Sequence, residues 1–584
     1  GGGGRASGRT RAFLSGYVVA PARARRATER PRVTTGEPDN SATDGSAPRP
    51  GGTGSTSAAM GQTVGRGLSV ALLSNAGAKG LAIIAQVVLG LCLTLEDFGL
   101  FALTLSVQMF IQTFRDGGVR DYLVTRAQDH DRLIGPCFWL AMTINVIVAL
   151  ALGIAGHIIA AIYVHGDFGA RASELPLLLW LTAVAVPIST IPSVLLAKLR
   201  IDLRFEAIAW MTIVKSLVQY AGSIWMALAG FGVLSLVVPL VVATIVEAVM
   251  ACVLNRAQPW RSAPNVRMWG PVMKDSGWLI ASSAACGVSN FGYYLPAGYF
   301  VSSATMGAYY FAVSLLMQVE TFLTSALQST MLPVLVRLRN ERERFAEAAL
   351  RLTRSLVLLC TPLTLGLAAV FPLLDALIWN GKFHTSTLVL IVLAVGYPVR
   401  AVMVVVPWSV LQAQGRFKEL FFMWLRNGIG MALACLVGAL WWRESPLGMA
   451  IVVSTFLLSS SILSVVVTLR PFGPRAGVIA WACVKSLSLG VVSMGVALVA
   501  EVVIAPMLGR ASVWMNLEVV LERPEEWLSF EMLSLVTHAA AIGAVVAGVY
   551  AVLVRMLATK DLRDFLSVAP AKLGGLARRV MLLR

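Results

Sequence analysis

FGLFALTLSVQMFIQTF at residues 98–114 and MGAYYFAVSLLMQVETF at residues 306–322 align without a gap at a separation of 208. Gly99 falls on Gly307, Ser106 on Ser314, Met109 on Met317, Thr113 on Thr321 and Phe114 on Phe322, with Phe101 over Tyr309 and Gln112 over Glu320. Two apolar helices share leucines by chance, but matches at Gly, Met, Ser and Thr are harder to come by. The pair therefore reads as an internal repeat, and the repeat decides how the rest of the chain is divided.

A spanning helix needs roughly 20 predominantly apolar residues. Fourteen such segments follow one another, at 68–93, 98–115, 135–164, 175–197, 207–229, 232–254, 276–301, 305–328, 350–379, 386–411, 419–441, 447–469, 477–504 and 534–557. The matched stretches lie in the second and eighth, six segments apart. An even offset makes both copies cross a bilayer in the same direction, as parallel repeats do. The expected fold is an all-α integral membrane protein of about 14 transmembrane helices. Two six-helix bundles, 63–254 and 276–470, are joined by a cytoplasmic linker at 255–275, and 471–557 carries helices 13 and 14. Residues 1–62 read as a disordered low-complexity tail and 558–584 as a basic cytoplasmic tail.

The basic residues supply an independent check on the helix count. Placing the segment before the first helix in the cytoplasm puts 26 Lys and Arg in the even-numbered gaps and C-terminal tail, against five in the odd gaps: Arg171, Lys382, Arg443, Arg510 and Arg523. One missed or invented helix would scramble this sorting from that point on. By the positive-inside rule both termini are expected in the cytoplasm of a cell (inner) membrane.

With 57% hydrophobic residues, 14% charged and a mean hydropathy of +0.74, the chain is excluded from the soluble globular class. The net charge of +17 does not point to nucleic acid, because the bases sit in short loops beside helix ends. Seven cysteines lie singly in or beside apolar stretches, with no CxxC spacing, so neither a disulfide framework nor a metal site is expected. Residues 1–62 are too rich in Gly, Arg, Ser, Thr and Pro to bury a core. Met60 is a plausible start, which makes 1–59 a dispensable extension.

No HExxH, GxSxG or Walker GxxxxGK[ST] pattern occurs, and the five histidines are scattered, so neither catalytic residues nor a cofactor is expected. The informative residues are charges at membrane depth, each costing roughly 2.5–3.5 kcal/mol at the bilayer centre on insertion scales. They are Lys79, Lys215, Glu247, Glu320, Arg400 and Lys485, with Arg426 and Asp375 nearer helix ends. Arg400 has two readings, an anion-holding guanidinium or the partner of a buried Glu320 or Glu247. Lys79 and Lys215 line a cavity or snorkel to the inner interface. Glu320 and Glu247 carry a coupling proton or pair with a base. Three bases against two acids in the bundles point to an anionic substrate.

The chain resembles the Wzx-like polysaccharide flippases of the multidrug/oligosaccharidyl-lipid/polysaccharide exporter superfamily over about 68–470. The likeness rests on EDFGLFAL at 96–103 leading to RDGGVRDYLVTR at 115–126, LRIDLRF at 199–205, MGAYYFA at 306–312, LPVLVRL at 332–338, GKF at 381–383 and QAQGR at 412–416. The resemblance implies alternating-access transport of an undecaprenyl-pyrophosphate-linked oligosaccharide from the inner to the outer leaflet, for polysaccharide or lipopolysaccharide export. A cationic cavity would hold the sugar-phosphate head, and a polymerase or export machinery would be a partner. Arg400, Lys79 and Lys215 are assigned to that cavity by depth, since the family offers no motif to transfer. A lipid II flippase and a drug or cation antiporter of the same superfamily are the alternatives. From another class stands a membrane-embedded glycan polymerase or ligase, for which the 505–533 loop offers only Arg510, Arg523 and several Glu.

Overall fold

A computed structural model describes residues 77–558 together with Ser74, apart from 116–122, 124–129, 167, 203, 256–257, 443–444, 474–475 and 508–531. The expectations for the N-terminal tail, Met60, most of the 505–533 loop and nearly all of the C-terminal tail lie outside the described residues. Every apolar segment predicted above meets a helix: α1 (Gly77–Cys92), α2 (Leu95–Arg115), α3 (His130–Tyr163), α4, α5 (Phe205–Leu228), α6 (Leu234–Leu254), α7 (Trp269–Phe291, followed by the short helix Tyr294–Gly298), α8 (Ser303–Leu338), α9 (Arg342–Trp379), α10 (His384–Ala413), α11 (Phe417–Trp441), α12 (Pro446–Leu469), α13 (Ala476–Met507) and α14 (Met532–Leu557). The fourth, α4, breaks at Ser189 into Leu175–Ile188 and Thr190–Ile201. Pro187 and Pro192 flank that break, and neither can donate a backbone hydrogen bond to its helix. Among the described residues nine helices are long and apolar enough to cross a membrane.

The helix starts and crossings carry the repeat further than the sequence match did. The Thr94 hydroxyl accepts from the Asp97 amide ahead of α2, and the Ser302 hydroxyl accepts from the Thr305 amide ahead of α8, both at 3.2 Å. These N-caps satisfy donors that the first helical turn leaves unpaired, and they stand 208 residues apart. Where α2 crosses α8, a Cβ on Gly99 would lie 2.0 Å from the Ser303 carbonyl oxygen, and one on Gly307 would lie 1.7 Å from the Leu95 carbonyl oxygen. Leu95 and Ser303 are equivalent too, so the contact is reciprocal, as it is across a two-fold axis. Only glycine allows backbones this close.

The packing divides accordingly. In the first half α3 packs on α4, α5 on α6, and α4 on α6; in the second, α10 packs on α8, α9 and α12, and α7 on α11. The appended α13 and α14 pack on each other and on α9. The halves meet where α2 runs between α7 and α8, and α1 hydrogen-bonds to α8.

The two ends of the molecule differ. The largest apolar core gathers Leu89, Phe98, Tyr163 and Leu178 from the first half with Tyr294, Met306, Tyr309, Phe371, Trp379 and Met449 from the second. Its residues lie beside the odd-numbered gaps. Beside the even gaps, among the described residues, the clusters stay within one half: Leu335, Phe345, Val410 and Leu469 in the second, Leu195, Leu199, Met211 and Ala251 in the first. A further cluster, whose buried residues around Phe138 and Ala197 are all of the first half, is covered by Met268 and by Trp269 at the start of α7. One end is joined through a shared core; the other is not.

Candidate functional site on the seam between the halves

Five of the embedded charges fall at three separate places. Arg400 lies mid-way along α10, where its guanidinium donates to the Glu320 carboxylate from α8 and to the Asn290 side-chain oxygen from α7 at 2.6 Å. The side chains are only 7% and 4% exposed for Arg400 and Glu320. Tyr397, one turn earlier on α10, places its ring 5.2 Å from the guanidinium carbon, within cation–π range. A buried guanidinium with an acid, an amide and an aromatic face is well compensated. In this conformation it is committed to the protein.

Lys215 on α5 donates to Glu247 on α6 at 2.6 Å, and here the side chains are 31% and 17% exposed. Lys79 on α1 reaches across the boundary between the halves to the Thr321 hydroxyl on α8 at 3.2 Å. Two turns along the same seam Gln86 donates to the Ser314 hydroxyl, also at 3.2 Å. Thus two of the three bases assigned to one cavity are neutralised by the two acids, while Lys79 is bonded to a hydroxyl. Arg426, nearer a helix end, donates to Ser464 at 2.7 Å, and Lys485 belongs to α13, outside the two halves.

At the end of the molecule that lacks a shared core, a cavity of about 630 Å³ opens within the first half, between α1 and α5. Ser74, Gly77, Ala78 and Leu81 line one wall, and Glu206, Trp210, Ile213 and Leu217 the other. A second groove, of about 490 Å³ between α9 and α14, is lined by Leu358, Pro362, Gly366, Val370, Gly543 and Ala547 and offers no charge to a polar head.

At the joined end a different set of polar contacts holds the halves together. Lys382, in the turn after α9, donates to the Gly90 and Leu91 carbonyl oxygens at the end of α1, at 3.0 and 3.2 Å. Trp379 donates to the Val87 oxygen at 3.0 Å. Partial burial pulls the Lys382 ammonium below its ordinary value, with Cys92 and Asp97 opposing that shift. Tyr163 at the end of α3 donates to the Leu295 oxygen beyond α7.

Sequence reasoning missed Asn290, although a lone amide in an apolar run was a visible signal, and it missed Tyr397, whose position one turn before an embedded Arg was legible. Side chains bonding backbone carbonyls, as Trp379 and Lys382 do, leave no sequence pattern.

Two similar helical halves around a charged seam, joined at one end, define a multi-pass membrane protein of the two-bundle type. The sequence profile of the family described as "Polysaccharide biosynthesis protein" matches residues 88–387, just over half of the chain, and the chain belongs to that family. It is 24% identical over 311 residues to the "Succinoglycan biosynthesis transport protein ExoT" of Rhizobium meliloti (strain 1021), a match covering 53% of this chain and 61% of the relative. The chain thus spans less than two thirds of that relative's length. Among solved structures, the fold is similar to "Lipid II flippase MurJ, inward closed conformation", with TM-score 0.60 and 10% identity over 83% of this chain and 98% of the other. It is also similar to the "Inward-facing conformation of a multidrug resistance MATE family transporter of the MOP superfamily", with TM-score 0.54 and 13% identity over 68% and 94%. At these identities the likeness is one of fold.

Proposed function

We propose that the protein is a flippase that carries a polyprenyl-pyrophosphate-linked oligosaccharide from the inner to the outer leaflet by alternating access. The unjoined end faces the cytoplasm, with both termini inside an inner membrane, as the sorting of bases requires. The observation that carries the reading is Lys79: a cation on the seam between the halves, held by a hydroxyl that an anion can replace. Moving a doubly charged head through hydrocarbon unaided is prohibitive. A cleft that opens to each side in turn lets the head cross while the tail stays in lipid. Lys79 contacts the pyrophosphate, Thr321 and Gln86 the head near it, and Lys215 the approach along α5, once Glu247 releases it. The relative's name points to succinoglycan rather than to a lipopolysaccharide, and a polymerase or export machinery would take the product.

The test is binding of undecaprenyl pyrophosphate, undecaprenyl phosphate and undecaprenol to the purified full chain, followed by tryptophan fluorescence. The pyrophosphate should bind tightest, Lys79→Met should weaken it about tenfold, and Lys79→Arg should keep most of it, in line with the strength of a charge-assisted hydrogen bond. Equal binding of all three lipids by wild type and Lys79→Met would defeat the assignment.

A further inference from the structure

The contacts at the joined end follow the repeat. Trp379 from the end of α9 donates to the Val87 oxygen, and Tyr163 from the end of α3 donates to the Leu295 oxygen. Val87 and Leu295 are 208 residues apart. Gly90 and Gly298 are the next equivalent pair. A Cβ on Gly90 would fall 2.3 Å from the Trp379 indole nitrogen, and one on Gly298 3.1 Å from the Tyr163 ring. Each half therefore grips the other through an aromatic donor pressed on a glycine at the end of the partner's first helix, one grip on either side of the Gly99–Gly307 crossing.

We propose that these two grips are the clasps of a gate, pivoting at the Gly99–Gly307 crossing, and that the α9–α10 clasp is the stronger because Lys382 adds a cation to it. The proposal rests on the alternating-access reading, since a transporter joined at one end must part there to release its cargo. The last carbonyls of a helix have no partner within it and carry partial negative charge. Lys382 meets two of them on α1. On the other side, the basic residue between α3 and α4, Arg171, turns instead to Glu96 and Asp97 at the start of α2, at 3.2 and 2.9 Å.

Asp375 is the positioning residue of the stronger clasp. It is fully buried. One carboxylate oxygen accepts from the Phe383 amide at 3.0 Å, and its backbone oxygen accepts from Asn380 and Gly381. These bonds shape the turn in which Asn380 takes a left-handed φ of 55° and from which Lys382 projects. Phe383 stacks on Phe311 at 3.7 Å and meets Phe98 of the other half edge-on at 5.9 Å, so moving the turn disturbs the shared core as well.

Hydrogen–deuterium exchange on the full chain in lipid nanodiscs, without any substrate, tests this separately from the transport reading. Lys382→Met should speed exchange of the α1 end and the 379–384 turn about tenfold, Lys382→Arg should restore protection, and Tyr163→Phe should loosen the α7 end by a smaller factor. The α5–α6 hairpin should not change. Exchange unaltered by both Lys382→Met and Tyr163→Phe would overturn the clasps, and so would an equal rise throughout the chain. Failure to bind or flip a lipid-linked sugar would sink the transport reading while leaving the exchange pattern as evidence for the clasps.

Discussion

Among the described residues each half of the molecule embeds one acid–base pair, and the two differ in burial. Arg400 and Glu320 in the second half are sealed among α7, α8 and α10, whereas Lys215 and Glu247 in the first lie between α5 and α6 with partial exposure. A sealed pair cannot be broken without stranding a charge in a medium that does not solvate it. A half-exposed pair can trade its partner for water, a headgroup or a substrate. A cation–carboxylate pair thus gives a structural tie in one half and an exchangeable contact in the other.

The largest effect expected is at the sealed pair. Arg400→Ala leaves Glu320 buried and uncompensated, at about 3–5 kcal/mol, and the protein should be lost from the membrane. Removing the acid as well, with Arg400→Ala and Glu320→Ala together, should recover much of the level, because no charge is then stranded. A well-inserted Arg400→Ala protein with wild-type thermal stability would show that the guanidinium is free to hold a ligand, as the phosphate-grip reading of the sequence had it.

Next is a contact in which the halves should behave alike. Gly99→Ala and Gly307→Ala each drive a methyl into a backbone carbonyl across the α2–α8 crossing. Overpacking of this kind costs about 1–3 kcal/mol, and the two variants should lower the melting temperature by similar amounts. A large inequality between them would mean that the repeat is not a working symmetry at this crossing.

These features were legible to different degrees, for physical reasons. Hydropathy located each long apolar helix among the described residues, because lipid-facing segments must be apolar along their whole length. It misjudged ends: α9 begins at Arg342 rather than 350 because RERFAEAA is a polar helical extension, and α8 runs on to Leu338 rather than 328. It read α4 as one segment, since the break at Ser189 interrupts the helix without changing polarity. The Arg400–Glu320 pair was one of two readings open from depth alone; the lysine that Glu247 meets was not named, because residues 32 apart on neighbouring helices carry no register in the sequence. The repeat showed in α2 and α8, yet its equivalents at Gly90 and Gly298 are isolated glycines whose meaning comes only from what presses on them.

The smallest stability effect belongs to the partly exposed pair, where the halves should differ most in function. Lys215→Met should change thermal stability by less than about 1 kcal/mol, the range of ion pairs that keep access to solvent. Glu247 then remains within reach of water or a headgroup, so little charge is stranded. If Lys215 serves the approach to the cleft, the same substitution should weaken undecaprenyl pyrophosphate binding severalfold while leaving the melting temperature in place, a split that a structural tie cannot give. Loss of stability as large as that of Arg400→Ala would put both pairs in one class and end the distinction between the halves; unchanged stability with unchanged binding would confine head-group recognition to Lys79 and its neighbours on the α1–α8 seam.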